Sequence, residues 1–376
     1  MDDDIPLFEI SWDIEDVKNA ADSVGRGSYW AKGPYNTEFE EKLESYLGVE
    51  HAVVVNSGTS AIHCALEALD LDEDSEVIVP SFTQQATANA VKLAGAVPVF
   101  ADIELETYGL DPSSVRDAIT SNTEAILPVH VYGSVCKIDE LVEIAEEHDL
   151  ALIEDAAEAL GAHRNGEYAG TFGDAAALSF CQNKIVATGE GGAVVTDDEE
   201  IAEKVKLFRS HGRASTDYFG SSKSGRHVSV GANLRMPDVV AALGCSQMDK
   251  VEELIEGRRS AALRMNEAFQ ETEGVEPHVF EDGRHVYQFY TVTVGPDIDR
   301  DGVIEYLRDN GVSSKVYWDP CVHQSEAYRD SHAETDLPNT EEIYQRVLSL
   351  PIHPELSHRE TDRIIQEVRD ACVACS

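Results

Sequence analysis

The sequence predicts an α/β fold, with a large domain built on a mostly parallel sheet and a smaller C-terminal α+β domain. Three observations carry this. Short β-branched runs alternate with helical patterns through the first half, the pattern changes near residue 236, and hydrophobic residues make up 42% of the 376 residues, enough for substantial cores. The strand-like runs are 52-AVVVN-56, 76-EVIVPS-81, 97-VPVFADI-103, 125-AILPVHVY-132 and 151-ALIEDA-156. Between them lie helical patterns at 60-SAIHCALEAL-69, 85-QATANAVKLAG-95 and 138-IDELVEIAEEH-148. Continuous apolar strands separated by helices indicate a parallel sheet covered on both faces. The runs 173-GDAAALSFC-181 and 192-GAVVTDD-198 extend that sheet with no helix between them. From Pro237 onward, Val239, Val240, Leu243, Met248, Val251, Leu254 and Ile255 continue at helical spacing toward 271, which predicts one long connecting helix. Beyond it, strands are expected at 286–294 and 314–319, and helices at 301–310, 340–349 and 358–371, the last opened by a Ser357–Glu360 capping box. The expected organisation is a large α/β domain over 1–240, a connecting helix over 241–271 and a small α+β domain over 272–376.

Charge excludes several function classes. With 29 basic against 71 acidic residues the net charge is −42, which argues against binding nucleic acid or an anionic membrane surface. Such an excess reads as a solvated surface and as a halophilic, salt-adapted composition. No apolar stretch approaches the ~20 residues of a membrane span, and the start MDDDIPLFEI has no basic or apolar leader pattern, so a cytoplasmic location is expected. The seven cysteines lack the spacing of a disulfide framework. Cys372 and Cys375 form a CxxC without two further ligands, and no histidine pair has metal-ligand spacing, so no metal is expected.

In an open parallel sheet, ligands bind outside the carboxyl ends of the strands. Three candidates sit there. The turn 56-NSGTSA-61 opens a helix and suits either a phosphate or simple capping. It is no Walker loop, since GxxxxGK[ST] and GxGxxG are both absent from the chain. Asp155 ends an apolar strand, where a carboxylate needs a cation or strong donors. Lys184 lies in 179-SFCQNKIVATGEGG-192, between an apolar strand and a glycine-rich turn. A phosphate cradle, a carboxylate able to pair with a protonated pyridine nitrogen and a lysine able to form a Schiff base are together what pyridoxal 5'-phosphate demands of a protein.

Asp155 and Lys184 stand 29 residues apart, an order and spacing that resemble fold-type I PLP-transferases. More closely, the chain resembles the DegT/DnrJ/StrS family of nucleotide-sugar aminotransferases. The resemblance is carried by Gly33 with 38-EFE-40, 56-NSGTSA-61, 79-VPSFT-83, 86-ATANAV-91, 128-PVHVYG-133, 154-EDAAEALGA-162, 171-TFGD-174, 179-SFCQNK-184, 189-GEGGAVVT-196, 211-HG-212, 233-NLRM-236 and 348-LSLPIHP-354, which span nearly the whole chain. It implies a PLP-dependent aminotransferase in amino-sugar or surface-glycan biosynthesis. L-glutamate is the implied donor and a nucleotide-linked keto-sugar, a 4-keto-6-deoxyhexose, the implied acceptor. Lys184 is then the lysine that bonds the cofactor and shuttles the proton, and Asp155 holds the pyridine nitrogen. Gly58, Thr59 and Ser179 hold the phosphate, and Asn233 reaches it from the partner subunit of a homodimer with shared active sites.

Two positions depart from the family pattern. Gln84 follows Phe82 and Thr83 where members usually carry an aromatic residue that stacks on the cofactor. Glu158 stands where many members have Gln near the cofactor's phenolic oxygen; with the Asn183–Lys184 pair it leans toward GDP-perosamine-synthase-like members. Between Arg209 and Arg235 five cations face one acid, a local +4 in a strongly negative chain. Lys223 and Arg226 in that Gly/Ser-rich stretch are candidates for a sugar-nucleotide diphosphate, the alternative being surface cations paired with carboxylates. His130 follows a strand, either near the cofactor or in a structural hydrogen bond, and Tyr317, His323 and His353 are candidates for the sugar pocket. Competing functions are a PLP-dependent sugar dehydratase, whose members replace the lysine by histidine, a 3-keto-sugar aminotransferase, and a cofactor-binding regulator without turnover.

Overall fold

The computed structural model describes residues 4–214, 225–280 and 282–376. In chain order its strands are β1 (His51–Val55), β2 (Glu76–Pro80), β3 (Val97–Ala101), β4 (Thr123–Ile126), β5 (Ala151–Asp155), β6 (His163–Arg164), β7 (Glu167–Tyr168), β8 (Ala175–Ser179), β9 (Gly192–Thr196), β10 (Val275–Pro277), β11 (Gly283–Arg284), β12 (Tyr290–Val294) and β13 (Val347–Leu350). The helices are α1 (Ile14–Gly25), α2 (Pro34–Leu47), α3 (Gly58–Glu67), α4 (Gln85–Leu93), α5 (Pro112–Ala118), α6 (Ile138–His148), α7 (Glu199–Phe208), α8 (Asp238–Met248), α9 (Val251–Gln270), α10 (Arg300–Asp309), α11 (Pro338–Ile343) and α12 (His358–Ala374).

Seven strands form one sheet in the order β1-β9-β8-β5-β4-β2-β3. Within it only β9 runs against the rest. Alternate residues feed two cores. Val54 and Ile78 face Phe39, Leu141 and Ile255, whereas Val53, Val77 and Val79 face Ile62, Leu66 and Val91. Both faces are therefore covered, as continuous apolar strands require. The reversal of β9 fixes the site. Residues 180–191 join β8 to β9 without crossing the sheet, so Lys184 stays at the edge where β2, β4, β5 and β8 end.

The antiparallel sheet β10-β12-β13 is covered by α9, α10 and α12 through Met265, Phe269, Tyr290, Leu348 and Ile364. Ile5 packs into this C-terminal core and bridges Val312, so the N-terminal segment crosses to the far end of the chain. The capping box of α12 forms as expected, Ser357 N donating to Glu360 at 2.9 Å.

Five sequence expectations differ. The helix expected over 241–271 is broken between Met248 and Val251, where Lys250 leaves helical geometry (φ −119°) and its ammonium is held by Asp13 and Asp16 at 2.7 Å each. Residues 347–349, the end of the helix expected over 340–349, instead belong to β13 against β12, because a short apolar run suits either state until a partner strand is present. Only Lys315 of 314–319 bridges a strand, through Ser349, and 286–289 lie outside β12 because Val286 N and Phe289 N donate to Gly133 and Tyr132 instead. The run 125–132 stops at Ile126, beyond which Pro128 has no N–H to give.

Between the two sheets His278 stacks on Tyr108 with ring centroids 4.5 Å apart. Burial pushes it down to about 4 from its ordinary 6.5. Unfolded chains take up this proton below about 6.5 and the folded chain does not until about 4, so stability present above that window is lost as pH falls through it. His278→Phe, which keeps a ring at the stack, should lose about 3 kcal/mol less than the parent between pH 7 and 4, measured by denaturant unfolding at fixed high salt.

Candidate active site

β5 ends in two consecutive acids whose side chains leave opposite faces of the strand. Asp155 is 5% exposed, and burial raises its carboxyl above the usual range. Thr87 Oγ1 donates to it at 2.8 Å and Ala157 N at 3.2 Å. Thr87 is itself held by Thr83 Oγ1 at 2.9 Å, one turn earlier at the head of α4. These donors and the nearby Lys184 oppose the upward shift.

Lys184 Nζ lies 3.4 Å from Glu158 Oε1 and 5.7 Å from the Phe289 ring centroid. Burial also raises Glu158, and Lys184 and the Tyr132 N–H, which donates at 3.0 Å, work against that shift. Two buried carboxyls and one amine thus converge at the carboxyl ends of β4, β5 and β8.

Beside them α3 begins. Ser57 caps it by accepting from Ser60 N at 3.1 Å, and the first N–H groups of a helix lack partners within it. Gly58 abuts Ser179 at the end of β8, so closely that a Cβ on Gly58 would lie 2.7 Å from the Ser179 Cβ. The structure therefore brings Gly58 against Ser179 at the start of α3, with Thr59 next in the helix, and a side chain at 58 would collide with Ser179.

The other candidates divide. Tyr317 stacks on Phe289 at 4.0 Å, one ring removed from Lys184. His323 is a correction. It is buried, with Nδ1 2.6 Å from Ser81 Oγ and Nε2 3.2 Å from Glu341, so both ring nitrogens are taken and neither is left for a sugar. His353 is likewise buried. His130 takes the structural role, its Nε2 2.7 Å from Glu154 and its Nδ1 accepting from Cys136 N at 3.2 Å. Asn233 is exposed on a segment whose Leu234 carbonyl accepts from Asn56 N. Arg226 is exposed, and Lys223 lies outside the described residues. Gln84 caps α4, accepting from Ala86 N. Sequence reasoning missed Thr87, whose signal was its i, i+4 spacing from Thr83, and Phe289, for which the sequence carries none.

The chain matches the DegT/DnrJ/EryC1/StrS aminotransferase family over residues 12–369. It belongs to that family. It is 38% identical to a GDP-perosamine synthase of Caulobacter vibrioides over 338 residues, covering 89% of each chain. Helicobacter pylori PseC, an aminotransferase of pseudoaminic acid biosynthesis, superposes with a TM-score of 0.93 at 30% identity, covering 99% of this chain and 100% of that one. The PLP form of a putative sugar aminotransferase of Streptococcus pneumoniae gives 0.92 at 26% identity, covering 99% and 100%. The sequence reading of family and fold class therefore holds.

Aminotransferases of this family use pyridoxal 5'-phosphate, and the residues present fit it. A buried carboxylate with two donors among the described residues, an amine within reach and a glycine at a helix start are complementary to its ring nitrogen, aldehyde and phosphate. Thr87→Val removes one of the two donors that favour the charged form of Asp155. Cofactor affinity should fall about tenfold or more, read by absorbance titration of the apo protein, since hydrogen bonds to charged groups contribute ~1.5–3 kcal/mol.

Proposed function

We propose that this enzyme transfers the amino group of L-glutamate to a nucleotide-linked keto-sugar, a 4-keto-6-deoxyhexose, in the assembly of an amino sugar or surface glycan. The observation that carries this is the meeting of Asp155, Glu158 and Lys184 beside the α3 cradle. Bound pyridoxal phosphate supplies an electron sink for the carbon that gains or loses the amine. Asp155 would hold the ring nitrogen protonated, because its buried carboxylate gains a cationic partner there. Gly58, Thr59 and Ser179 would hold the phosphate. Lys184 Nζ, once free, would carry the proton between carbons, with Glu158 as the adjacent carboxyl that accepts or returns it.

A GDP-linked acceptor is supported by Glu158, by the Asn183–Lys184 pair and by the likeness to the Caulobacter synthase. Of the cations between 209 and 235, Arg209 is buried and paired with Glu40, whereas Lys223 and Arg226 suit a diphosphate. Tyr317 would line the sugar side.

Assembly as a homodimer, with Asn233 completing the partner's phosphate site, is supported by exposed apolar surface. Val230 is 90% exposed, and Tyr29 and Trp30 are more than half exposed. Helix α1 is turned inside out: Asp16 and Ser23 are buried on α8 through Ser246 and Asp238, while Ile14, Val17 and Val24 face outward. An outward apolar stripe on a helix calls for a covering surface.

The purified protein should show a visible cofactor band that borohydride abolishes and that Lys184→Ala lacks. Lys184→Ala should turn over on the order of 10²–10⁴-fold more slowly. Glutamate should bleach the band and one of a panel of GDP-, dTDP- and UDP-keto-sugars should restore it; restoration by none overturns the acceptor assignment.

A further inference from the structure

One side chain from the C-terminal part of the chain grips the peptide on both sides of Lys184. Gln288 Nε2 donates to the Asn183 carbonyl oxygen at 2.7 Å, and Gln288 Oε1 accepts from Ile185 N at 3.2 Å. Gln288 is 2% exposed. A carboxamide offers a donor and an acceptor side by side in one plane, which is what these two backbone groups need.

Gln288 is itself fixed. Its carbonyl oxygen accepts from Arg258 Nη1 at 3.3 Å, and the same nitrogen lies 3.4 Å from the Tyr287 and 3.2 Å from the Ile352 carbonyl oxygen. Arg258 is buried on α9, and burial pushes its guanidinium down to about 10. A desolvated cation shared among three carbonyls ties residues 287–288 to α9 and to residue 352. The next residue, Phe289, is the ring beneath the Lys184 amine. One short segment therefore holds the lysine's backbone and lies under its tip.

We propose that Gln288 is a positioning residue: by clamping Asn183 and Ile185 it sets the direction in which Lys184 presents its amine to Asp155 and Glu158. This rests on Lys184 being the lysine that bonds the cofactor. The lysine stem is flexible, so its aim depends on how firmly its backbone is held, and displacement of a reacting atom by ~1 Å can cost on the order of 10²-fold in rate.

Gln288→Leu removes both bonds. Gln288→Glu, assayed at a pH where the new carboxyl is ionised, keeps an acceptor for Ile185 N but has no donor for Asn183. Thr361→Val, which deletes a buried 3.0 Å bond to the Ser357 carbonyl on α12, controls for general loss of stability. Each is assayed below its own melting temperature for kcat, KM and the pH midpoint of the visible band of the cofactor-loaded protein. Both Gln288 variants should lower kcat about tenfold or more with little change in sugar KM, and move the midpoint by roughly 0.5 pH unit or more; Thr361→Val should do neither. Should Gln288→Leu not fold, Gln288→Glu decides. A parental midpoint and kcat in Gln288→Glu, or the same shifts in Thr361→Val, would overturn the proposal. Lys184→Ala in parallel separates the two ideas: retention of the band overturns the role of Lys184 itself, whereas loss of the band with unshifted Gln288 variants overturns only the clamp.

Discussion

The active site depends on how two neighbouring buried acids are satisfied. Glu154 and Asp155 end the same strand and point to opposite faces. Glu154 accepts from Gly170 N, Phe172 N and Gly173 N at 2.7–2.9 Å and meets His130 Nε2 at 2.7 Å. A carboxylate has about four lone-pair sites, so Glu154 is filled by protein alone. Asp155 has two donors from Thr87 and Ala157 and sits in a site that raises its carboxyl. The difference assigns the roles. A saturated carboxylate stitches the 170–173 turn to the sheet, and an undersaturated one is left to bind something else.

What surrounds Asp155 follows from strand direction. Because β2, β4, β5 and β8 run the same way, their ends converge and each following connection delivers one group: Thr87 from the head of α4, the Tyr132 N–H from the turn after β4, Glu158 after β5 and Lys184 after β8. Two carboxyls share one amine, and the charge of Asp155 pushes Glu158 further up. A protonated ring nitrogen at Asp155 would offset that charge. A carboxyl at 158 therefore adds its own protonation to the coupling between Asp155 and Lys184, which an amide there would not.

Asp155, Lys184 and the α3 turn were legible in the sequence because each signal is local, a polar residue directly after an apolar strand. Thr87 was half legible, standing four residues after Thr83 at the start of α4, but its bond to Asp155 spans 68 residues. Gln288 was not legible at all, since its partners lie more than 100 residues away and neither strand period nor helix period marks it. The same limit explains the misread C-terminal elements: Val347–Leu350 becomes a strand only because β12 is there to pair with it. His323 was misjudged for the opposite reason. Its residue type suits a sugar pocket, yet its burial between Ser81 and Glu341 is a tertiary fact.

The charge of −42 acts on a different scale from the site. Repulsion among exposed carboxylates is screened over ~8 Å at physiological salt and more tightly at higher salt, so added salt favours the compact chain through its surface. Asp155 and Glu158 are buried and the half-buried Lys184 lies close to them, where mobile ions have less access than at the surface. Folding and site chemistry should therefore respond separately to ionic strength. The cations follow the same division. Lys250 and Arg284 tie elements together through carboxylates, and Arg258, bonded to carbonyl oxygens in the interior, holds the segment that grips Lys184. In a chain with acids to spare, a buried arginine held by backbone carbonyls is placed for the geometry of those carbonyls rather than for an ion pair.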